Sequence, residues 1–200
     1  MSEKSQDVKI MATEAIENDA ALNELVESLA GSSRRTRQVS ASALALVAKE
    51  TPEKLIDHAN AIVDALNRPE AQTRWEVLDI LTSLVVLDSR VCDKALTGAE
   101  TALFDEDSGP VRLSALRFLC ALGATTENRS EKVWPLLDEA IQCYHGDLEF
   151  QDMLVAVCEF STGKLAPSVK QALADRMKFD ADSGKGALKR RAQAIIDNVS

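Results

Sequence analysis

The residues of this 200-residue chain best suited to proton transfer, nucleophilic attack or metal binding are two histidines, His58 and His145, and four cysteines, Cys92, Cys120, Cys143 and Cys158. Zinc would require cysteine or histidine pairs at short spacing, and the nearest cysteines stand 15 residues apart with no CxxC among them. Neither histidine has a second ligand at metal spacing, so each is expected at a surface or helix end. Ser161-Thr162-Gly163-Lys164 ends in a lysine but lacks the glycine five residues earlier that a phosphate-cradling loop needs, and the chain has no GxGxxG, Walker A or HExxH pattern. The sequence therefore predicts no catalytic set, no metal and no cofactor. Its cysteines read as reduced packing residues.

A recurring cation is more informative. Arg37, Arg74, Arg112 and Lys189 each occupy the second position of a five-residue motif. The motifs are Thr36–Ser40, Thr73–Val77, Val111–Ala115, Glu149–Met153 and Leu188–Ala192, and Phe150 stands at the equivalent place in the fourth. The anchors fall at 37, 74, 112, 150 and 189, a step of 37 to 39 residues. Seven residues after each anchor come Leu44, Leu81, Leu119, Val157 and Ile196; ten after come Val47, Leu84, Leu122, Phe160 and Val199. Apolar residues in register at such a period are the mark of a stacked repeat.

Each unit divides into two helices. First helices are predicted near Ala20–Ala30, Pro52–Leu66, Cys92–Phe104, Glu131–His145 and Pro167–Met177, and second helices begin at the anchors. Val133, Leu136, Leu137, Ala140, Ile141 and Tyr144 form an amphipathic stripe in the fourth unit. Thr51-Pro52, Pro69, Pro110 and Asp147 supply starts, while Gly31, Gly109, Gly146 and Gly184 mark turns. The units run approximately 20–50, 51–88, 91–123, 130–162 and 166–199. Residues 1–19 form an N-terminal cap or tail, with a helix expected over Val8–Glu17. No segment alternates with period two for long enough to be a strand. The fold class is thus all-α, a solenoid of about five helix pairs in one domain. A composition of 46% apolar, 28% charged and only 4% aromatic residues agrees with closely packed helices. No apolar run approaches 18 residues, and Glu3, Lys4 and Asp7 at the start do not make a signal peptide, so a cytoplasmic protein is expected. The polar start and finish are what a complete array would carry.

The third unit, Asp107-Ser108-Gly109-Pro110-Val111-Arg112-Leu113-Ser114-Ala115-Leu116-Arg117-Phe118-Leu119, resembles a HEAT repeat. Val133-Trp134-Pro135-Leu136-Leu137 resembles the proline-bent first helix of such repeats, with Pro135 bending its helix near the start. The similarity extends over residues 20–199 and is degenerate elsewhere: Thr36 and Thr73 replace the valine, and Phe150 replaces the arginine. The resemblance to the HEAT and armadillo families implies a right-handed stack in which first helices are convex and second helices line a concave surface. It implies no single chemistry.

The repeated cation opposes the dipole of its own helix, so it needs a compensating partner. The expected arrangement is an inter-repeat ion-pair ladder to turn carboxylates such as Asp105, Glu106 or Asp107. Cys120 and Cys158 share one column and could approach each other. With Val111, Ala115, Leu119 and Leu122 facing the core, Ser114, Arg117 and Ala121 should face the groove. The matching columns give Glu76, Asp79 and Ser83, then Asp152, Val155 and Glu159, with Trp75 at the edge as a possible anchor. The middle of the groove thus reads as acidic around Arg117.

With Lys and Arg totalling 23 against 32 Asp and Glu, the formal charge is −9. Basic clusters at Arg34, Arg35 and Arg37 and at Lys185, Lys189, Arg190 and Arg191 lie in the first and last units, so no continuous basic stripe is available for duplex phosphates. The expected function is a non-catalytic scaffold, monomeric or weakly dimeric, that binds a basic or amphipathic protein segment at Trp75, Glu76, Asp79, Arg117, Asp152 and Glu159. The alternatives are a nucleic-acid binder of the DNA alkylation repeat type, or a HEAT-like lyase that attaches a chromophore to a carrier protein.

Overall fold

The computed structural model describes residues 3–200, with side chains from Gln6 onward; Met1 and Ser2 of the expected N-terminal cap or tail lie outside the described residues. The elements are α1 (Glu3–Glu17), α2 (Asp19–Ser28), α3 (Arg34–Glu50), α4 (Ala59–Asp64), α5 (Ala71–Asp88), α6 (Leu96–Leu103), α7 (Gly109–Gly123), α8 (Glu127–Cys143), α9 (Phe150–Ser161), α10 (Pro167–Ser183) and α11 (Gly186–Val199). No strand occurs among the described residues.

Side chains from the turns set many of the helix starts. Asn18 Oδ1 accepts the Ala20 amide at 2.9 Å, Ser33 Oγ that of Thr36 at 3.2 Å, and Thr126 Oγ1 that of Arg129 at 3.3 Å. The Thr126 cap starts α8 at Glu127 rather than Glu131, which places Pro135 in the middle of the helix and not near its start. Two expected helices are only partly α-helical. Pro52–His58, Ala65–Asn67 and Ser89–Ala95 are 3₁₀ segments flanking the short α4 and α6. Tighter 3₁₀ turns are common at helix ends and as connectors. α1 begins five residues before the expected Val8, since nothing in Glu3–Asp7 breaks a helix, and α10 continues six residues past Met177 until Gly184 stops it.

The chain divides into two compact units, Met1–Ala102 and Leu103–Ser200. In the N-terminal unit, α3 packs on α5, and α1 covers α2 and α3. In the C-terminal unit, α9 packs between α7 and α11, with α8 against α7 and α10 against α11. Second helices thus lie side by side within each unit. The repeated apolar columns form the core: Leu44, Leu81, Leu119 and Val157 are fully buried, as are Val47 and Leu84. The last repeat departs from the expected register. Ile195, fully buried, takes the position assigned to Ile196, which is only half-buried; this keeps a step of 38 residues from Val157.

Gly123 permits the close approach of α7 to its neighbours, because a methyl there would stand 2.3 Å from Val133 Cγ2 and 3.0 Å from Phe160 Cε2.

Candidate functional site

The anchor cations are structural in their surroundings. Arg37 is 9% exposed and forks onto Glu70, itself 5% exposed. Its Nε lies 3.1 Å from Glu70 Oε2, and Nη2 bonds the other carboxylate oxygen. Nη1 donates to the carbonyls of Gly31 at 2.7 Å and Ser32 at 3.0 Å. Glu70 is the residue before α5, and the hydrogen bond from Arg37 holds its carboxyl below the usual glutamate range. Arg112 repeats the plan more loosely. Nη1 donates to Asp105 O at 2.9 Å, and Nη2 stands 3.9 Å from Glu149 and 4.0 Å from Asp147. Its guanidinium lies 5.1 Å over the ring of Tyr144, whose hydroxyl donates to Leu103 O at 2.8 Å. Lys189 Nζ donates to Asp182 O at 3.1 Å. Arg74 is half-buried on α5 and has interactions of its own. Asp107 is exposed, and its amide donates to Asp105 Oδ1 at 3.0 Å.

The shared feature of Arg37, Arg112 and Lys189 is therefore a bond to a backbone carbonyl five to seven residues upstream, where the preceding helix ends. A cation misplaced for its own helix is well placed for the carbonyl end of the helix before it.

The residues assigned to partner binding divide by unit. On α5, Trp75, Glu76 and Asp79 are half-buried. Ser42 Oγ donates to Glu76 Oε1 at 2.9 Å and accepts Gln72 Nε2 at 3.0 Å. Burial raises the Glu76 carboxyl above its usual value. These groups line a groove of about 410 Å³ that also carries Lys9, Arg35 and Lys49. Beside Glu76, α1 and α3 thus bring cations that the α5 column alone did not show. Ser83 is half-buried and bonds back to Asp79 O at 3.2 Å.

In the C-terminal unit, Arg117 on α7 is exposed, but Ser114, expected to face outward beside it, is only 4% exposed. A serine is small enough to sit under the neighbouring helix, and helical phase set from four core residues does not resolve that flank. On α9, Asp152, Val155 and Glu159 are all exposed, Val155 by 39%. Their 3- and 4-residue spacing puts them on one helical face.

Cys120 is buried in α7, and Cys158 of α9 points its Sγ at Arg191 O, 3.8 Å away; both are free thiols. Burial, with the Glu159 charge nearby, pushes the Cys120 thiol well up. His145 Nε2 lies 3.0 Å from the buried Asp180 Oδ1, and its ring stacks obliquely on Phe150 at 4.8 Å. Among the described residues, no three His, Cys, Asp or Glu side chains are grouped to hold a metal ion. None of the described helices is long and apolar enough to cross a membrane.

Sequence reasoning missed Glu70, Asp138 and Arg176. Arg176 bonds Asp138 across α10 and α8 with Nη2 2.9 Å from Oδ2. The signal was present, since 138 and 176 differ by one repeat step.

The architecture is that of the armadillo and HEAT-type helical repeats, the fold class that the resemblance implied. A designed armadillo repeat protein in complex with the peptide (KR)4 superimposes with a TM-score of 0.78 at 17% identity, over 98% of this chain and 91% of that one. A computationally designed armadillo repeat protein for modular peptide recognition gives a TM-score of 0.72 at 15% identity, covering 97% and 92%. An archaeal HEAT-like repeats protein from Thermococcus onnurineus NA1 gives 0.61 at 14% identity, covering 100% and 97%. No protein-family model and no curated protein matches the sequence.

Proposed function

We propose that this protein is a non-catalytic scaffold that holds a basic, partly apolar peptide segment on the exposed face of its second helices. The observation that carries this reading is the α9 stripe, where Val155 stands 39% exposed between the exposed carboxylates Asp152 and Glu159. An apolar contact flanked by two acids matches a peptide that alternates Lys or Arg with an aliphatic side chain. Arg117 on α7 sets a limit at one border, since it disfavours a cation opposite itself. In the N-terminal unit, Trp75, Glu76 and Asp79 offer a second, weaker surface, because Ser42 already engages the Glu76 carboxylate. Support also comes from the similar designed protein in complex with (KR)4, a peptide of alternating cations. On this account the chain is monomeric or weakly dimeric and acts in the cytoplasm.

The test is a fluorescence-anisotropy titration with a labelled alternating Lys-Arg peptide of eight residues. Asp152→Lys with Glu159→Lys should weaken binding at least about tenfold, roughly 1.4 kcal/mol, while Glu76→Gln should change it little. Equal affinity in wild type and the double reversal would remove α9 as the site. Competition by duplex DNA with loss of peptide binding would instead favour the nucleic-acid reading.

A further inference from the structure

A groove of about 810 Å³ lies between first helices of the N-terminal unit, away from the residues invoked for peptide binding. One wall is α4 with the turn that follows it, and the other is Ser89–Ala95 with α6. The two walls meet closely because residue 98 is glycine: a methyl there would sit 2.9 Å from Leu66 Cδ1.

The groove's charge is opposite to that of the chain. Arg68, Arg74 and Lys94 line it against the single carboxylate of Asp64, in a protein of formal charge −9. Arg68 Nε is buried and has no hydrogen-bond partner, whereas nearly all buried donors in proteins are satisfied. Lys94 Nζ donates to Asn60 Oδ1 at 2.9 Å, which holds the ammonium at the groove. An arginine fork with an unused donor beside a lysine point charge is the equipment for an oxyanion, and best for phosphate. Asn60, Asn67, Thr97 and Thr101 share the lining with Val63, Leu66 and Pro69, so the body of the ligand meets polar groups as well as apolar ones. The volume falls within the usual range for small-molecule sites. A nucleic-acid backbone needs a long basic track, whereas these cations are confined to one groove.

We propose that this groove binds a small phosphate-bearing molecule, with Arg68, Lys94 and Arg74 around the phosphate and Asn60 and Thr97 against its polar body.

Pyrophosphate is the probe, titrated by calorimetry into the full chain at constant ionic strength with chloride as control. Saturable binding is expected, weakened at least tenfold in Arg68→Gln and several-fold in Lys94→Gln, and unchanged in Arg117→Gln. Lys94 is exposed, so its variant keeps the fold and decides the matter if Arg68→Gln does not. A non-saturating response matched by chloride would overturn the proposal, as would unaltered affinity in Lys94→Gln or an equal loss in Arg117→Gln. Binding of a phosphoserine peptide without binding of pyrophosphate would overturn it in favour of a protein ligand. Peptide binding at α9 should be the same in wild type, Arg68→Gln and Lys94→Gln, so the two ideas fail separately.

Discussion

At the scale of single residues, the Arg37–Glu70 pair is the contact whose loss should be felt most. Arg37→Met leaves Glu70 buried without its partner and should lower the melting temperature by several degrees, whereas Arg37→Met with Glu70→Leu should recover much of the loss, because two apolar side chains leave no unpaired charge. The same pair imposes a pH dependence. Arg37 holds the folded-state Glu70 carboxyl below its unfolded value, so on acidification the unfolded chain takes up the proton first. The pair's contribution is complete above the ordinary glutamate range and is lost as the pH falls from about 5 to about 3. Melting curves across that window should therefore be steeper in pH for wild type than for the double variant; parallel curves would contradict the assignment. Gly109 offers a second test. A methyl there would overlap the Glu149 carboxylate, which lies across the start of α7. Because that carboxylate is the free end of a flexible side chain, Gly109→Ala should change urea stability by less than about 1 kcal/mol; a larger loss would show that Glu149 is held in place.

At the scale of elements, polar rungs join neighbouring first helices at roughly the repeat spacing. Lys54 bonds Asp19 at 2.8 Å and Lys94 bonds Asn60 in the N-terminal unit, while Arg176 bonds Asp138 and Ser168 lies 3.4 Å from Glu131 in the C-terminal unit. Asp138→Ala should therefore destabilise the C-terminal unit measurably and Asp19→Ala hardly at all, since Asp19 is 84% exposed at its side chain. Urea midpoints of the two variants check this. The legibility of the fold divides along the same lines. Second helices were readable because their buried columns repeat with one period and are filled by Leu, Val and Ala. First helices were less so, because caps such as Thr126 and the 3₁₀ segments depend on local backbone hydrogen bonds that periodicity does not record. Of the candidate residues, the exposure of Arg117 on α7 and of Asp152, Val155 and Glu159 on α9 was legible, because it follows from helical phase. At Glu76 the surroundings come from Lys9, Arg35 and Lys49 on other helices, and no single-column comparison reports them.

At the scale of the whole molecule, each compact unit has its own fully buried side chains, including Leu44, Leu78 and Leu81 in the first and Leu116, Phe118 and Leu173 in the second. Residues 103–200 expressed alone should consequently remain helical and melt cooperatively, as read by circular dichroism; a non-cooperative melt would show that this unit lacks an independent core. The central claim is that the exposed face of α9 holds a basic segment. The most direct measurement is amide hydrogen exchange of the full chain with and without a saturating alternating Lys-Arg peptide. The account predicts added protection concentrated in Phe150–Ser161 and the adjoining part of α7 around Arg117. Peptide-induced protection confined to other helices, or none at saturation, would contradict it.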